Sequence, residues 1–204
     1  MRNQWVICYV NFHSANLTGV SFRINKCHYV RIGTLRKFLR GDAVRGGKVT
    51  ELINEVDIAV EAWHEDGRWK LANLPDAQDL PAIIDRLKSQ QTNGGAVALI
   101  AIDEEFFILI RVLGTHIYMF MSDISCALDY EVAEEFLEIA DLDQPTDDDE
   151  PLPVGNKDIF ADLGMPHMEL LALCDDGELF PDEQLEAIAK RLGFGNEFAE
   201  LLEL

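Results

Sequence analysis

The sequence predicts an α+β fold, with an antiparallel β-meander packed against helices, an acidic linker and a small C-terminal helical unit. Three apolar runs between residues 96 and 121 are separated only by short turns, which is typical of consecutive antiparallel strands. On both sides of the meander, apolar residues recur at helical spacing. A length of 204 residues and an apolar content of 48% allow one packed domain with a small appendage.

A hairpin and a helix precede the meander. Residues 56–63 alternate apolar and polar side chains and predict a strand, Glu65-Asp66-Gly67 is a hairpin-turn pattern, and residues 68–71 predict the returning strand. An apolar stripe between residues 80 and 87 predicts a helix, for which Asp79 is a suitable N-cap.

The meander itself has strands at 96–102, 105–113 and 115–121, with turns at Asp103-Glu104 and Gly114. A helix over residues 129–139 follows, and four of its residues are predicted to face the core: Val132, Phe136, Leu137 and Ile139.

The C-terminal third begins with a segment rich in acids, Pro and Gly. Residues 142–156 bury too little apolar surface to offset the entropy of ordering, so they predict a disordered linker. Three or four short helices follow between residues 159 and 202. The clearest of them runs from Pro181 to Leu192, with acids in its first turn and cations in its last.

Charge divides the chain near residue 48. Residues 1–48 hold nine Lys or Arg and one acid, a net charge of +8, whereas residues 49–204 hold eight Lys or Arg and 36 acids, a net charge of −28. We interpret 1–48 as an extension that arises from a start codon placed too far upstream, in preference to a basic arm that binds nucleic acid. The predicted divisions of the remainder are an α+β domain at 49–141, the linker at 142–156 and a helical unit at 157–204.

Composition also argues against several functional classes. Because phosphate contacts need Lys and Arg, the acidic main segment is not expected to bind nucleic acid directly. The four cysteines form no C-x-x-C pair, so their spacing indicates neither a zinc site nor a disulfide framework. No apolar run has the length of a membrane span and no secretory signal is evident, so we expect a cytoplasmic protein.

Two patterns could carry chemistry. His167-Met168-Glu169 has the H-x-E form of zinc deaminases, but the P-C-x-x-C segment that completes such sites is missing, so we expect neither a metal nor another cofactor. Asp123, Ser125 and Cys126 follow the third meander strand, and His116 on that strand could act as a base for the thiol. The alternative that we favour is that Asp123 or Ser125 ends the strand and Cys126 packs as a small apolar residue.

Several segments resemble one family, the tRNA adenosine deaminase-associated proteins of actinobacteria. They are D-I-A-V-E-A-W-H-E-D-G-R-W-K-L from Asp57, G-G-A-V-A-L-I-A-I-D-E-E-F-F-I-L-I-R-V from Gly94, S-D-I-S-C-A-L-D-Y from Ser122, and C-D-D-G-E-L-F-P-D-E-Q-L-E from Cys174. The resemblance covers about residues 56–204. It implies a tRNA adenosine deaminase as partner and a role in tRNA modification, and it supplies no catalytic residues.

We therefore expect a non-enzymatic acidic accessory protein that associates with, and regulates, a tRNA adenosine deaminase. The candidate partner-binding residues are five acids of the C-terminal helices: Asp175, Asp176, Glu178, Asp182 and Glu183. Two alternatives stay open, an enzyme of unknown class with a site near Asp123–Cys126 and a structural homodimer that pairs edge strands. The sequence does not determine the oligomeric state.

Overall fold

The computed structural model describes residues 7–8, 28–29, 56–90, 92, 94–146 and 150–203. The chain divides into two compact units, Met1–Glu51 and Leu52–Leu204. In the first unit, strands β1 (Ile7–Cys8) and β2 (His28–Tyr29) pair antiparallel. The remainder of the predicted extension at 1–48 lies outside the described residues.

The second unit contains a six-stranded antiparallel sheet in the order β4-β3-β5-β6-β7-β8. Its strands are β3 (Val56–Glu65), β4 (Arg68–Asn73), β5 (Ala96–Ile102), β6 (Phe106–Leu113), β7 (His116–Met121) and β8 (Val154–Gly155). The helices are α1 (Leu80–Ser89), α2 (Glu131–Ile139), α3 (His167–Cys174), α4 (Pro181–Leu192) and α5 (Gly195–Leu202), with 3-10 turns η1 (Ile124–Leu128) and η2 (Ala161–Leu163). The predicted α+β fold with an antiparallel meander and C-terminal helices is confirmed.

Left-handed turn residues close the hairpins. Asp66 and Gly67 have φ of 53° and 77°, and Asp103 and Glu104 have φ of 55° and 57°. Positive φ at both central residues is the geometry whose twist matches paired strands. The second turn is also tied to β3, the neighbour of β5 in the sheet, because Asp57 Oδ2 accepts a hydrogen bond of 2.7 Å from the Glu104 amide.

The helix α1 has the predicted N-cap, and α2 differs from the prediction at one core residue. The Asp79 carboxylate accepts a 2.9 Å hydrogen bond from the Ala82 amide and so caps α1 as predicted. In α2 the predicted core residues are buried except Ile139, which is 37% exposed, and Ala133 is buried as well. Ile139 is the last residue of α2, where the helix extends past the edge of the core.

The sheet is covered by helices on both faces. Residues 98, 100 and 102 of β5 pack in one core with α1, η1 and α2, whereas residues 97, 99 and 101 pack in a second core with α3, α4 and α5. Every residue of β5 is consequently buried. The strands therefore share a core with the C-terminal helices, and both lie within one compact unit. The sequence predicts them in two units, 49–141 and 157–204.

The predicted disordered linker at 142–156 is ordered at its C-terminal end. Its centre, residues 147–149, lies outside the described residues, but Val154 and Gly155 form β8 at the edge of the sheet. Gly155 has φ of +89°, and a Cβ atom there would clash with the Met119 carbonyl oxygen. This close approach to β7 and the positive φ both require glycine at this position of β8.

Arg111 of β6 is a buried charge that fastens the C-terminal segment to the sheet. Its side chain is 2% exposed and donates to both carboxylate oxygens of Asp162, at 2.5 and 2.8 Å. The same guanidinium donates to the carbonyl oxygens of Ile159, at 2.8 Å, and Gly94, at 3.1 Å. A fork of fixed donors suits this bidentate contact, which positions η2 over the sheet.

Glu61 of β3 has the corresponding role on the opposite face. It is 1% exposed and accepts hydrogen bonds of 2.9 and 2.5 Å from the guanidinium of Arg86 on α1. Since Arg86 remains 40% exposed, one end of the pair is solvated and the cost of burying the other charge is reduced.

Candidate functional site

The five predicted partner-binding acids surround the connection between α3 and α4. We call residues 175–183 the acidic loop. All five carboxylate side chains are exposed: those of Asp175, Asp176, Glu178, Asp182 and Glu183. Asp182 and Glu183 also lie in the first turn of α4, where the helix dipole favours negative charge.

Two of these acids also have a structural role. Asp176 Oδ1 accepts a 3.0 Å hydrogen bond from the Glu178 amide, which tightens the turn after α3. Glu183 Oε2 accepts a 2.9 Å hydrogen bond from the Phe180 amide, as in half of a capping box. Asp175, Glu178 and Asp182 therefore offer exposed carboxylates whose removal leaves both of these hydrogen bonds in place.

A buried glutamine, which the sequence analysis did not single out, holds the acidic loop on the helices. Gln184 is 4% exposed, and its side-chain amide donates a 2.6 Å hydrogen bond to the carbonyl oxygen of Leu173 at the end of α3. Its backbone amide donates to the Phe180 carbonyl oxygen at 2.9 Å. The signal in the sequence is a polar residue four positions before the buried Ile188 on the same face of α4.

The acids of the loop are not neutralised by cations within the described part of the chain. Of the eight Lys and Arg in residues 49–204, five form ion pairs there with acids outside the loop. Those five are Arg86, Lys88, Arg111, Lys190 and Arg191. The loop thus presents a concentrated negative potential to solvent.

The H-x-E segment forms contacts within the fold. His167 Nδ1 lies 3.1 Å from Asp158 Oδ1, and Glu169 accepts hydrogen bonds of 2.7 and 3.0 Å from Arg191 Nε. Cys174 lies at the other end of α3, roughly 10 Å along the helix axis. Burial, together with the charge of Asp175, raises the pKa of the Cys174 thiol to about 12. In the ranges that the structure describes, no three His, Cys, Asp or Glu side chains are arranged to hold a metal ion.

The segment after β7 has the geometry of a cap. Asp123 Oδ1 accepts hydrogen bonds from the Ser125 amide, at 2.9 Å, and from the Ser125 hydroxyl, at 2.7 Å, and so begins η1. Cys126 is half-buried against the first core. His116 begins β7, whereas Cys126 follows its other end, and a six-residue strand separates its ends by roughly 17 Å. The fold therefore does not bring this thiol and its predicted base together.

These features define the class of the protein: an acidic α+β protein whose antiparallel sheet lies between two helical layers, one of which presents an exposed acidic loop. The family model for Rv3753c-like tRNA adenosine deaminase-associated proteins matches residues 57–195, and the chain belongs to this family. This match confirms the family resemblance seen in the sequence. It contains the acidic loop and all of α4.

A curated relative supports the same assignment. Protein Rv3753c of Mycobacterium tuberculosis (strain ATCC 25618 / H37Rv) is 30% identical over 144 residues, which are 68% of this chain and 83% of the relative. No solved structure matches the chain. Among the residues that the structure places, no helix combines the length and the apolar character needed to cross a bilayer.

Proposed function

We propose that this protein is a non-enzymatic accessory protein that binds a tRNA adenosine deaminase through the acidic loop and regulates the access of tRNA to that enzyme. The observation that carries the proposal is the cluster of five exposed carboxylates on a loop that the side chain of the buried Gln184 ties to the end of α3. The family name supplies the partner, because it describes association with this enzyme.

Electrostatic complementarity supports a protein partner. A deaminase that acts on tRNA needs a basic surface for the phosphate backbone, and an acidic loop attracts such a surface. The main segment, with a net charge of −28, repels free tRNA at neutral pH. A complex at or beside the basic face would therefore reduce tRNA binding, and the chemistry would remain that of the deaminase. The protein would act in the cytoplasm and would take part in tRNA modification.

Calorimetry with the deaminase of the same organism tests the proposal. The full chain is titrated into the enzyme at 50 and 200 mM salt, and we expect saturable binding that weakens about tenfold or more over this range, because screening weakens charge pairs at the rim. Addition of tRNA should compete with the protein. Absence of binding in calorimetry and on gel filtration would refute the proposal, because the family name would then be the sole link between this protein and the enzyme.

A matched pair of triple variants tests the surface. Asp175→Asn, Glu178→Gln and Asp182→Asn remove three charges from the acidic loop while keeping the hydrogen bonds of Asp176 and Glu183. The control removes three exposed charges from α2 on the other face of the sheet: Glu131→Gln, Glu134→Gln and Glu138→Gln. We expect the loop variant to bind at least tenfold more weakly at 50 mM salt and with a shallower salt dependence, and the control to bind within about threefold of the wild type. Equal losses would show that net charge alone attracts the enzyme.

A further inference from the structure

Phe180 is an aromatic residue of the acidic loop that belongs to neither of the two cores. It is the N-cap of α4, and the residue is 44% exposed. N-cap positions favour Ser, Thr, Asp and Asn, because their side-chain oxygens accept hydrogen bonds from the first helical turn. A phenyl ring has no such oxygen. Departures of this kind from local sequence rules concentrate at functional sites.

Other aromatic N-caps of the described chain do have a structural explanation. Phe160 and Phe194 precede η2 and α5 and are 1% and 0% exposed, so each fills the second core. Phe194 also contacts Trp69, with ring centroids 4.7 Å apart. Tyr130 before α2 is half-buried and packs on Phe106, with ring centroids 5.1 Å apart. Phe180 differs from all three because it is neither buried nor half-buried but exposed.

The backbone of Phe180 is held in place on both sides. Its amide donates to Glu183 at 2.9 Å, its carbonyl accepts from the Gln184 amide at 2.9 Å, and the following residue, Pro181, is buried. A ring presented on a fixed backbone loses little conformational entropy on binding, and such preorganisation increases affinity. Exposed carboxylates lie on both sides of Phe180 in the sequence, at Glu178 and Asp182.

We infer that Phe180 is the apolar anchor of the contact with the deaminase and inserts into an apolar pocket that Arg or Lys side chains surround. This inference rests on the proposed function and specifies the partner's surface. The arrangement has the anatomy of a binding hot spot, with a central aromatic residue and a charged rim. The carboxylates select a basic partner and set the salt dependence, and the ring supplies an interaction that salt does not screen.

The variant Phe180→Ser separates binding from folding. Serine is a favoured N-cap residue, so the melting temperature should stay the same or rise, whereas the Kd for the deaminase should increase at least tenfold. Because no charge changes, the salt dependence of log Kd should keep the slope of the wild type. Met168→Ser is the matched control. It removes an apolar side chain that is 67% exposed on the first turn of α3, at the far end of that helix from the loop, and it should bind within twofold of the wild type.

Three results would overturn the anchor role of Phe180 while leaving the proposed function intact. They are a Phe180→Ser affinity within twofold of the wild type, an equal loss in Met168→Ser, and a fall in melting temperature of more than about 5 °C, which would assign Phe180 to the fold. Absence of binding by the wild-type protein would instead refute the proposed function, and the anchor role with it. Calorimetry of the wild-type protein, run first, distinguishes these cases.

Discussion

Asp162→Asn removes the carboxylate that pairs with the buried guanidinium of Arg111. The substitution keeps the shape of the side chain and one acceptor oxygen, and it deletes the negative charge. Arg111 is 2% exposed, so its charge would be left with the carbonyl oxygens of Ile159 and Gly94 as its remaining partners in the described structure. The positive charge cannot be lost by deprotonation, because guanidinium retains its proton in proteins.

The size of the effect follows from the exposure of the two partners. Breaking a fully buried ion pair by removing one member costs about 3–5 kcal/mol. Here the Asp162 side chain is 58% exposed, so water can reach the site that the carboxylate vacates. The two carbonyl contacts of Arg111 also remain. We therefore expect a loss of about 2 kcal/mol in the free energy of unfolding, roughly half of the fully buried cost.

The effect should depend on pH in one direction. The hydrogen bond from Arg111 is the main cause that lowers the pKa of Asp162 in the folded protein. A carboxyl group with a depressed folded pKa contributes stability above its unfolded pKa of about 3.9 and loses that contribution as the pH falls through the folded pKa. The stability difference between wild type and Asp162→Asn should therefore be constant from pH 7 to about 5 and shrink below about pH 4.

Thermal and urea denaturation followed by circular dichroism measure this difference. A loss of about 2 kcal/mol corresponds to a fall in Tm of about 4–8 °C for a chain of this size. The control is Lys190→Gln, which breaks the exposed pair with Glu186 and should cost about 0.5 kcal/mol or less. If Asp162→Asn melts within 1 °C of the wild type, or no lower than Lys190→Gln, then water replaces the carboxylate at no cost and the reasoning is wrong.

Two further predictions concern the edge strand and a thiol. Gly155→Ala should destabilise the protein by about 2 kcal/mol, because the new Cβ would meet the Met119 carbonyl at a positive φ. Gly177→Ala, which adds a Cβ with nothing within 4 Å, should cost less than about 0.5 kcal/mol, and equal changes in Tm would contradict this account of β8. Cys174, with its pKa of about 12, should react with iodoacetamide at pH 8 at least about a hundredfold more slowly than glutathione. Peptide mass spectrometry measures this rate, and a rate equal to that of glutathione would show that the thiol is neither buried nor protonated.

Local patterns in the sequence are sufficient to predict most of the helices, strands and turns of the main segment. The limits of α4, Pro181 and Leu192, agree with the prediction because a proline occupies its first position and Gly193 ends it with φ of +91°. The Asp79 cap and the Asp-Gly turn likewise depend on the conformational preferences of one or two residues. Each of these signals acts over fewer than about five residues, so the rest of the chain does not alter it.

The covering of both sheet faces was harder to predict, although its signal is present. β5 and β6 contain hardly any alternation of apolar and polar residues, and such runs indicate strands that are buried on both faces. The alternation in β3 is misleading in turn, because Glu61 takes a polar position but is buried against Arg86 on α1. Its partner is 25 residues away in the chain, and no local rule connects the two.

For the candidate site, the sequence predicts where the acidic residues lie but not what each of them does in the structure. Composition was enough to locate the acids of the loop, but the sequence could not separate the carboxylates that hold the turn, Asp176 and Glu183, from those directed to solvent. Phe180 was also overlooked, because in a sequence it is one apolar residue before a helix. Its exposure becomes informative only beside the buried aromatic caps of the same fold.

The acidic excess of residues 49–204 does not itself stabilise the fold. A net charge of −28 over residues 49–204 opposes the compact state through self-repulsion, and the fold retains it although five cations are engaged in ion pairs of the described chain. Two packed cores offset that cost, so the charge is tolerated without stabilising the structure. Under the proposed function, this charge attracts a basic, tRNA-binding partner, and the exposed carboxylates of the acidic loop are the point of contact.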